Sequence, residues 1–309
     1  MLPPNRAHID TEKRNPRTRG LHTRSAAELV EIMAAEDRDV VAAVKRAGDR
    51  LTKFIEGAEP GFLAGGRLVY VGAGTSGRLG VLDASEAPPT FQVPPTRVVG
   101  IIAGGDSALR RSSEGAEDDP SGAHEALAQL KLTPQDSVIG IAAGGTTAYV
   151  LGALDFCRAL PEKSRPLTAL ITCSAIDRPE GVDHLLTLKT GPEVVTGSTR
   201  MKAGSATKMA LNIISTTLMI RLGKVYDNLM VDVKATNAKL RDRAARIVQQ
   251  LTSVSREDAF ALLDRCEGEV KTAVVAHRAG VDAAQARSLL ESHQGRLDAA
   301  LGAGGDVSA

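Results

Sequence analysis

The sequence predicts an α/β protein in which helices flank a doubly wound parallel sheet and a small helical bundle follows at the C-terminal end. Short apolar runs rich in β-branched residues alternate with helical stretches, and this alternation is typical of parallel sheets covered on both faces. Glycine-rich loops follow three of the runs, the first at residues 74–77, the second at 103–106 and the third at 143–147. Ligand-binding loops follow strands in the same way in open α/β sheets. The four runs span residues 67–71, 97–103, 137–142 and 167–172, and residues 184–189 are a candidate fifth strand.

The flanking helices follow from capping signals and apolar spacing. Ser25 and Glu28 have the spacing of a capping box and open the lead-in helices. A long apolar helix is expected over residues 207–222 and an amphipathic one over 235–251, and Ser255 opens the first of about three short helices. We expect an extended basic arm over 1–24, a sheet domain with its lead-in helices over 25–250, a helical subdomain over 251–301 and a flexible tail over 302–309.

Composition excludes several classes of function. Lys and Arg total 38 against 37 for Asp and Glu, which gives a net charge of +1. The protein therefore has no broad positive electrostatic field that would attract nucleic acid or acidic membranes. Aromatic residues make up only 3% of the chain, which argues against base-stacking surfaces. The three cysteines are far apart and lack metal-ligand spacing, so buried reduced thiols are expected. We find no secretion signal and no membrane-spanning run, and predict a cytoplasmic location.

The segment after the first run has the features of a phosphate site. Gly74, Thr75, Ser76 and Gly77 should open a helix whose N-terminal N–H groups and hydroxyls bind an anion. A dinucleotide-binding fingerprint would need an acidic residue about twenty positions on, and a Walker loop would need Gly-Lys-Ser/Thr at its end. Neither is present, so no nucleoside triphosphate is implied. The alternative is an ordinary strand-to-helix turn.

Long motifs give the chain a resemblance to a known family. Over almost its whole length it resembles the N-acetylmuramic acid 6-phosphate etherases of the sugar isomerase (SIS) superfamily, whose doubly wound parallel sheets hold phosphosugars. The segments that carry the resemblance are residues 11–18, 72–90, 114–118, 191–204, 228–233 and 235–237.

The resemblance implies a carbon–oxygen lyase that needs no metal and no organic cofactor. Glu86 matches the family acid that protonates the departing lactate oxygen, and Glu117 matches the base that takes the C2 proton. Glu114, one helical turn earlier, is the chief alternative for the base. The Pro88-Pro89 pair should end the helix that carries Glu86.

The third glycine-rich loop departs from the family's pattern. Where relatives commonly show Ala-Ser-Gly-Arg-Thr-Pro, this chain has Gly144 in place of the serine, so one expected phosphate hydroxyl is missing. The Gly144 backbone N–H and the hydroxyls of Thr146 and Thr147 remain as expected phosphate ligands.

A further set of expected ligands lies in residues 198–202. Ser198, Thr199 and Lys202 are expected to contact the substrate. Arg200 and Lys202 are the candidates to pair with its phosphate or its lactyl carboxylate. The alternative is a capped helix start, because Ser198 is also a good N-cap.

The resemblance implies an etherase of amino sugar catabolism and peptidoglycan recycling. It would form a homodimer, to whose partner subunit the N-terminal arm would reach, and it would bind a small sugar phosphate but neither nucleic acid nor membrane. Two alternatives of other kinds stay open: a phosphosugar-sensing regulator without catalysis, and an aldose–ketose isomerase. Release of lactate from the muramic sugar phosphate separates all three.

Overall fold

Five parallel strands form the sheet at the centre of the fold, as predicted. The computed structural model describes residues 5–111, 113–233 and 237–302, without the side chain of Glu114. The strand order is β2-β1-β3-β4-β5 and every neighbouring pair is parallel. The candidate fifth strand is therefore confirmed. The strands are β1 Leu68–Gly72, β2 Val98–Ile102, β3 Ser137–Ile141, β4 Leu167–Thr172 and β5 His184–Thr187.

A helix lies between each pair of successive strands from β1 to β4, whereas none of the described helices separates β4 from β5. After β5, helices continue alone to the end of the described chain. The long apolar helix predicted over 207–222 begins a turn earlier than expected, and the amphipathic one is close to its predicted span. The helices are α1 Ala26–Arg46, α2 Gly48–Leu63, α3 Gly74–Phe91, α4 His124–Gln129, α5 Ala148–Ala159, α6 Lys202–Arg221, α7 Ala238–Thr252, α8 Arg256–Arg265, α9 Val270–Ala279, α10 Ala283–Ser292 and α11 Leu297–Ala300.

Burial explains why the strand sequences are continuous apolar runs. Every residue of β1 and β3 is buried. Val71, Val138 and Leu170 from the sheet share one buried cluster with Val150 and Leu154 of α5. Parallel strands covered on both faces have no solvent side and therefore show no polar alternation.

Two predicted helix boundaries can be compared with the structure, and one is confirmed while the other is wrong. Ser25 and Glu28 form the predicted capping box at the start of α1. Pro88 and Pro89 do not end α3, which runs on to Phe91. The two prolines lie in the last turn of α3, and the chain still closes that turn through a hydrogen bond from the Gln92 N–H to the Pro88 carbonyl oxygen (2.9 Å). Neither proline has an N–H to donate to the preceding turn, so α3 continues to Phe91 without those two intrahelical bonds.

The chain divides into two compact units at points that differ from the predicted boundary at residue 251. The first unit takes the chain up to Ser85 together with Pro95–Ser215, and the second takes Glu86–Pro94 and the chain from Thr216 onward. In the second unit, Val248 of α7 shares a buried cluster with Leu262 of α8 and Val274 of α9. This shared cluster is why α7 belongs with the helical bundle.

The described part of the N-terminal arm, from residue 5 onward, is not extended. It forms three short 3-10 turns, at Asp10–Glu12, Pro16–Thr18 and Leu21–Thr23. Thr11 and Thr18 are buried against the same chain, where the Gly197 N–H donates to the Thr11 carbonyl oxygen (3.2 Å) and the Thr18 hydroxyl to the Val194 carbonyl oxygen (2.9 Å). These contacts hold the arm on its own chain.

Other expectations concern single residues and the ends of the chain. Cys157, Cys173 and Cys266 are buried and unpaired, as predicted. Residues 303–309 of the predicted flexible tail lie outside the described chain. None of the described helices combines the length and the apolar character needed to cross a bilayer.

Candidate active site

The candidate site lies at the carboxyl ends of β1 and β3, where the sheet order changes direction. From β1 the chain moves outward to β2 and then returns to β3 on the other side of β1. The connections that leave β1 and β3 therefore diverge, and in doubly wound sheets ligands bind in the crevice that forms there. Two of the three predicted glycine-rich loops, at residues 74–77 and 143–147, occupy these positions.

The connection from β1 to α3 is very tight, because only Ala73 lies between the end of the strand at Gly72 and the start of the helix at Gly74. A methyl group at Gly77 would lie 2.6 Å from the Gly72 carbonyl oxygen, so only glycine permits this close approach. The N–H groups of the first helical turn remain without intrahelical acceptors and favour an anion. Thr75 and Ser76 are half-buried, and within the described chain their hydroxyls have no hydrogen-bond partner.

The third loop brings two more hydroxyls to the same edge of the sheet. Its turn is closed by a hydrogen bond from the Gly145 N–H to the Ala142 carbonyl oxygen (2.9 Å). Thr146 and Thr147 are half-buried, and the Thr147 side chain does not cap α5 although Thr147 occupies the N-cap position. Both hydroxyls therefore remain available at the start of α5.

The 191–204 segment reaches the first loop through the start of α6. A methyl group at Gly204 would lie 3.5 Å from the Thr75 Cγ2 atom and 3.3 Å from the Thr199 carbonyl oxygen. The first turns of α3 and α6 therefore lie side by side. This contact brings Thr199 into the neighbourhood of the first loop.

Glu193, rather than Ser198, caps α6. The Glu193 carboxylate accepts hydrogen bonds from the N–H groups of Lys202 (3.0 Å) and Ala203 (2.9 Å). Burial raises the pKa of Glu193 above its ordinary value, although these two hydrogen bonds act in the opposite direction. Ser198 lies four residues before the helix and is half-buried, so the capped-start alternative is wrong for this residue.

Lys202 does not have the free ammonium group that a phosphate ligand needs. Its side chain is completely buried, and Nζ donates to the Glu36 Oε2 atom at 2.7 Å. Asn15 donates to the same Glu36 oxygen at 2.7 Å, and Arg17 pairs with the other at 2.5 Å. Because a buried ion pair is costly to break, we correct the expected role of Lys202 to that of an anchor for the start of α6.

This ion pair predicts how stability depends on pH. Burial alone would raise the pKa of Glu36, but hydrogen bonds from Arg17, Lys202 and Asn15 outweigh it and lower the pKa from 4.5 to about 2. The ionised form therefore stabilises the native state above the unfolded pKa, and this contribution is lost as the pH falls from about 4.5 to about 2. Glu36→Gln should cost roughly 3 to 5 kcal/mol near neutral pH, and the cost should shrink across that acidic range.

Urea unfolding of the wild type and the variant at several pH values measures this cost. Glu31→Gln, an exposed position on the same helix, is the matched control and should leave the pH dependence unchanged. A cost for Glu36→Gln that stays constant down to pH 2 would contradict the assignment.

Glu117 lies beside the third loop although it follows the second strand. Its carbonyl oxygen accepts a hydrogen bond from the Tyr149 N–H (3.0 Å) in the first turn of α5. The Ser113 hydroxyl donates to the Ala103 carbonyl oxygen (3.1 Å) and so ties the same segment to the second loop. The Glu117 carboxyl group is exposed at this edge. The side chain of Glu114, its alternative, lies outside the described part of the chain.

Glu86 lies on α3, three turns beyond the first loop, and its side chain is exposed. Residue 86 falls in the second compact unit. Both carboxyl groups assigned to catalysis are therefore accessible to a ligand.

Sequence reasoning missed four buried acids, Glu36, Asp83, Asp136 and Glu193. A signal for Glu36 was present, because it lies on the apolar face of α1, one turn from Ile32 and from Val40. A charge on such a face indicates a buried partner. No comparable sequence signal identifies the partners of Glu193 or Asp83.

Comparisons with known proteins cover nearly the whole chain. The family model described as the glucokinase regulatory protein N-terminal SIS domain matches residues 27–158, and the model of that protein's C-terminal lid domain matches residues 227–267. N-acetylmuramic acid 6-phosphate etherases from Picosynechococcus sp. and Crocosphaera subtropica are each 50% identical to the chain, covering 96% and 97% of it and 97% of each relative. The etherase of Gloeobacter violaceus is 49% identical, and the match covers 96% of both chains.

Proposed function

The chain belongs to the family of N-acetylmuramic acid 6-phosphate etherases, and from this membership we propose how its site cleaves the lactyl ether of that sugar phosphate. The protein is a carbon–oxygen lyase. Its products are N-acetylglucosamine 6-phosphate and D-lactate. The observation that carries the proposal is the match of about 50% identity over about 96% of the chain.

The reaction is an elimination followed by addition of water. In the ring-opened aldehyde the carbonyl group acidifies the C2 proton, and the ether at C3 lies β to that carbonyl. A base removes the C2 proton, the C2–H electrons form a C2=C3 double bond, and the C3–O bond breaks. An acid protonates the departing oxygen to give lactate, and water then adds at C3 while C2 regains a proton.

We assign the base to Glu117 and the acid to Glu86. Glu117 is supported by its place beside the third loop, where the Tyr149 N–H holds its backbone. Glu86 is supported by its place on α3, the helix that opens with the phosphate loop. One carboxyl group must be ionised and the other protonated when substrate is bound, which requires different environments in the complex.

We place the phosphate among Gly74, Thr75, Ser76, Gly77 and the third loop. Two helix N-termini, those of α3 and α5, and several unpartnered hydroxyls supply donors at the carboxyl ends of β1 and β3. Ser198 and Thr199 are included because the start of α6 lies against Thr75. Lys202 acts indirectly by holding that helix start in place.

Incubation of the purified protein with N-acetylmuramic acid 6-phosphate tests the activity. An etherase releases D-lactate, whereas an isomerase would produce a ketose phosphate and a regulator would bind the sugar without turnover. The glucokinase regulatory protein models match only residues 27–158 and 227–267, while the etherases align with nearly the entire chain. Absence of lactate in this assay would refute the etherase activity.

Ser76→Ala is expected to weaken the binding of every sugar 6-phosphate by about 1 to 3 kcal/mol, through loss of one charge-assisted hydrogen bond. Calorimetric titration with sugar 6-phosphates and with the unphosphorylated sugars measures the effect, which should be confined to the phosphorylated ligands. Ser85→Ala is the matched control, because Ser85 lies on the same helix and its hydroxyl donates to the Leu82 carbonyl oxygen. If the wild type and Ser76→Ala bind sugar 6-phosphates with equal affinity, the Ser76 hydroxyl does not contact the phosphate.

Gly144→Ser is expected to restore the hydroxyl that the family's pattern has at this position. A side chain there would meet its nearest neighbour, the Ile9 Cγ2 atom, at 3.5 Å, which is an ordinary contact. Affinity for sugar 6-phosphates should rise about fivefold or more, since one charge-assisted hydrogen bond contributes about 1 to 3 kcal/mol.

The neighbouring glycine provides the control for this substitution. Gly145→Ser should destabilise the loop instead, because the Gly145 φ of 78° is strained for other residues and the Ile176 Cδ1 atom would lie 2.6 Å away. Unchanged or weaker phosphate binding by a stable Gly144→Ser variant would show that this position does not face the phosphate.

We further propose that the protein is a cytoplasmic homodimer of amino sugar catabolism and peptidoglycan recycling. An exposed apolar stripe on α1 supports the assembly. Val30, Met33 and Val41 are exposed and lie within about 80° of one another around the helix. A second copy of the chain would remove this stripe from water. A monomer in sedimentation equilibrium at micromolar concentration would contradict the dimer.

A further inference from the structure

A buried carboxylate joins three elements of the candidate site. Asp83 is 7% exposed and Tyr70 is 1% exposed. The Tyr70 hydroxyl donates to the Asp83 Oδ2 atom at 2.8 Å, while the Asn212 side-chain amide (2.7 Å) and the Ser215 hydroxyl (3.2 Å) donate to Oδ1. Both oxygens of the carboxylate are thus bound to identified donors.

The three donors come from elements that also carry the catalytic apparatus. Tyr70 lies in β1, two residues before the glycine that ends the strand. Asn212 and Ser215 lie on α6, whose first turn packs beside Thr75. Asp83 itself lies on α3, between the phosphate loop at the start of that helix and Glu86 one turn further on.

The chemistry of this network favours a role in orientation. No ion pair of the described chain involves Asp83, so hydrogen bonds alone compensate the burial of its charge. An apolar residue of similar size would fill the space at least as favourably, but it would leave α3 freer to rotate and slide. Hydrogen bonds are directional and fix both movements. Burial, together with the Asp83 carboxylate, raises the pKa of Tyr70 well above its ordinary value, so this donor keeps its proton.

We propose that Asp83 is a positioning residue, which fixes the rotation and the axial position of α3 and thereby the direction from which Glu86 meets the departing lactyl oxygen. This inference rests on the acid role assigned to Glu86 above. The start of α3 depends less on the network, because its one-residue connection to β1 already holds it. Loss of the network should therefore disturb protonation of the leaving group more than phosphate binding.

The test compares two partial reactions in the same variants. Asp83→Asn keeps the shape of the side chain without its charge, and Tyr70→Phe keeps the ring but removes one donor. In each variant, lactate release should fall by about 10- to 100-fold, the range expected for a misplaced catalytic group. Exchange of the C2 proton and affinity for sugar 6-phosphate should stay within about threefold of wild type.

Asp136→Asn is the matched control. Asp136 is a buried carboxylate that binds the Arg67 guanidinium at the opposite edge of the sheet, before β1 and β3 begin. Its substitution should lower the thermal midpoint but leave the ratio of lactate release to C2 exchange unchanged. If Asp83→Asn does not fold, Tyr70→Phe decides the question.

Two results would overturn the proposal. One is a ratio of release to exchange that is unchanged in a folded Asp83→Asn or Tyr70→Phe variant. The other is a parallel fall of release, exchange and folded fraction, which would show a structural role only. Glu86→Gln is measured alongside, to test the acid role on which the proposal rests. If the ratio of lactate release to C2 exchange is unchanged in Glu86→Gln, Glu86 is not the acid, and the assigned function fails independently of the role of Asp83.

Discussion

Glu117→Gln is expected to abolish exchange of the substrate C2 proton with solvent, lowering its rate by roughly 10²- to 10⁴-fold. The neutral amide fills the same space as the carboxyl group but does not accept a proton. The segment should stay in place, because the Tyr149 N–H binds the backbone carbonyl oxygen of residue 117 and not its side chain. Sugar 6-phosphate should therefore still bind. Incorporation of deuterium at C2 in D₂O, followed by NMR, measures the exchange.

Asp118→Asn is the control for this substitution, because it removes an exposed negative charge from the adjacent position. It should leave exchange near the wild-type rate. If exchange is undiminished in Glu117→Gln, the base lies elsewhere, and Glu114 is the first alternative. A Glu114→Gln variant would then lose exchange while Glu117→Gln retained it.

The sheet and its ligand edge were predictable because their signals are local. A buried parallel strand needs a continuous apolar run, and a tight connection to a helix needs glycine, as at Gly77. Both requirements appear within a few consecutive residues. The position of the switch point did not follow from this pattern, because a glycine-rich loop also follows the second strand.

Pairings between distant parts of the chain were not predictable in the same way. Lys202 and Glu36 are 166 positions apart, and Asn212 and Asp83 are 129 apart. In the sequence, Lys202 in a phosphosugar motif is indistinguishable from a phosphate ligand. Its burial decides otherwise, because an ammonium group without water needs a carboxylate partner at short distance.

Helix α3 continues past two prolines that were predicted to end it. Proline disfavours a helix interior because it removes a donor and crowds the preceding turn. Pro88 and Pro89 fall in the last turn, where α3 has only two residues left to form. The helix nevertheless extends beyond Glu86 to Phe91, although neither proline donates an N–H to the preceding turn.

Glu86→Gln is expected to stop lactate release while C2 exchange continues at a measurable rate. Exchange requires only the base and the open-chain aldehyde, whereas elimination also requires a proton for the departing alkoxide. Loss of a general acid should lower release by roughly 10²- to 10⁴-fold. Coupled assays of lactate and of deuterium incorporation on the same samples measure both rates. Asp106→Asn, an exposed acid in the second loop, is the control and should leave both rates unchanged.

The leaving group provides the decisive comparison. A substrate analogue whose C3 substituent departs as a stable anion does not need protonation, so Glu86→Gln should process it much faster, relative to wild type, than the lactyl ether. This rescue is specific to an acid at the leaving oxygen, because a base or a binding residue acts equally on both substrates. If the variant loses exchange and elimination together and no better leaving group restores turnover, Glu86 is not a dedicated acid, and the roles of the two glutamates must be exchanged or merged.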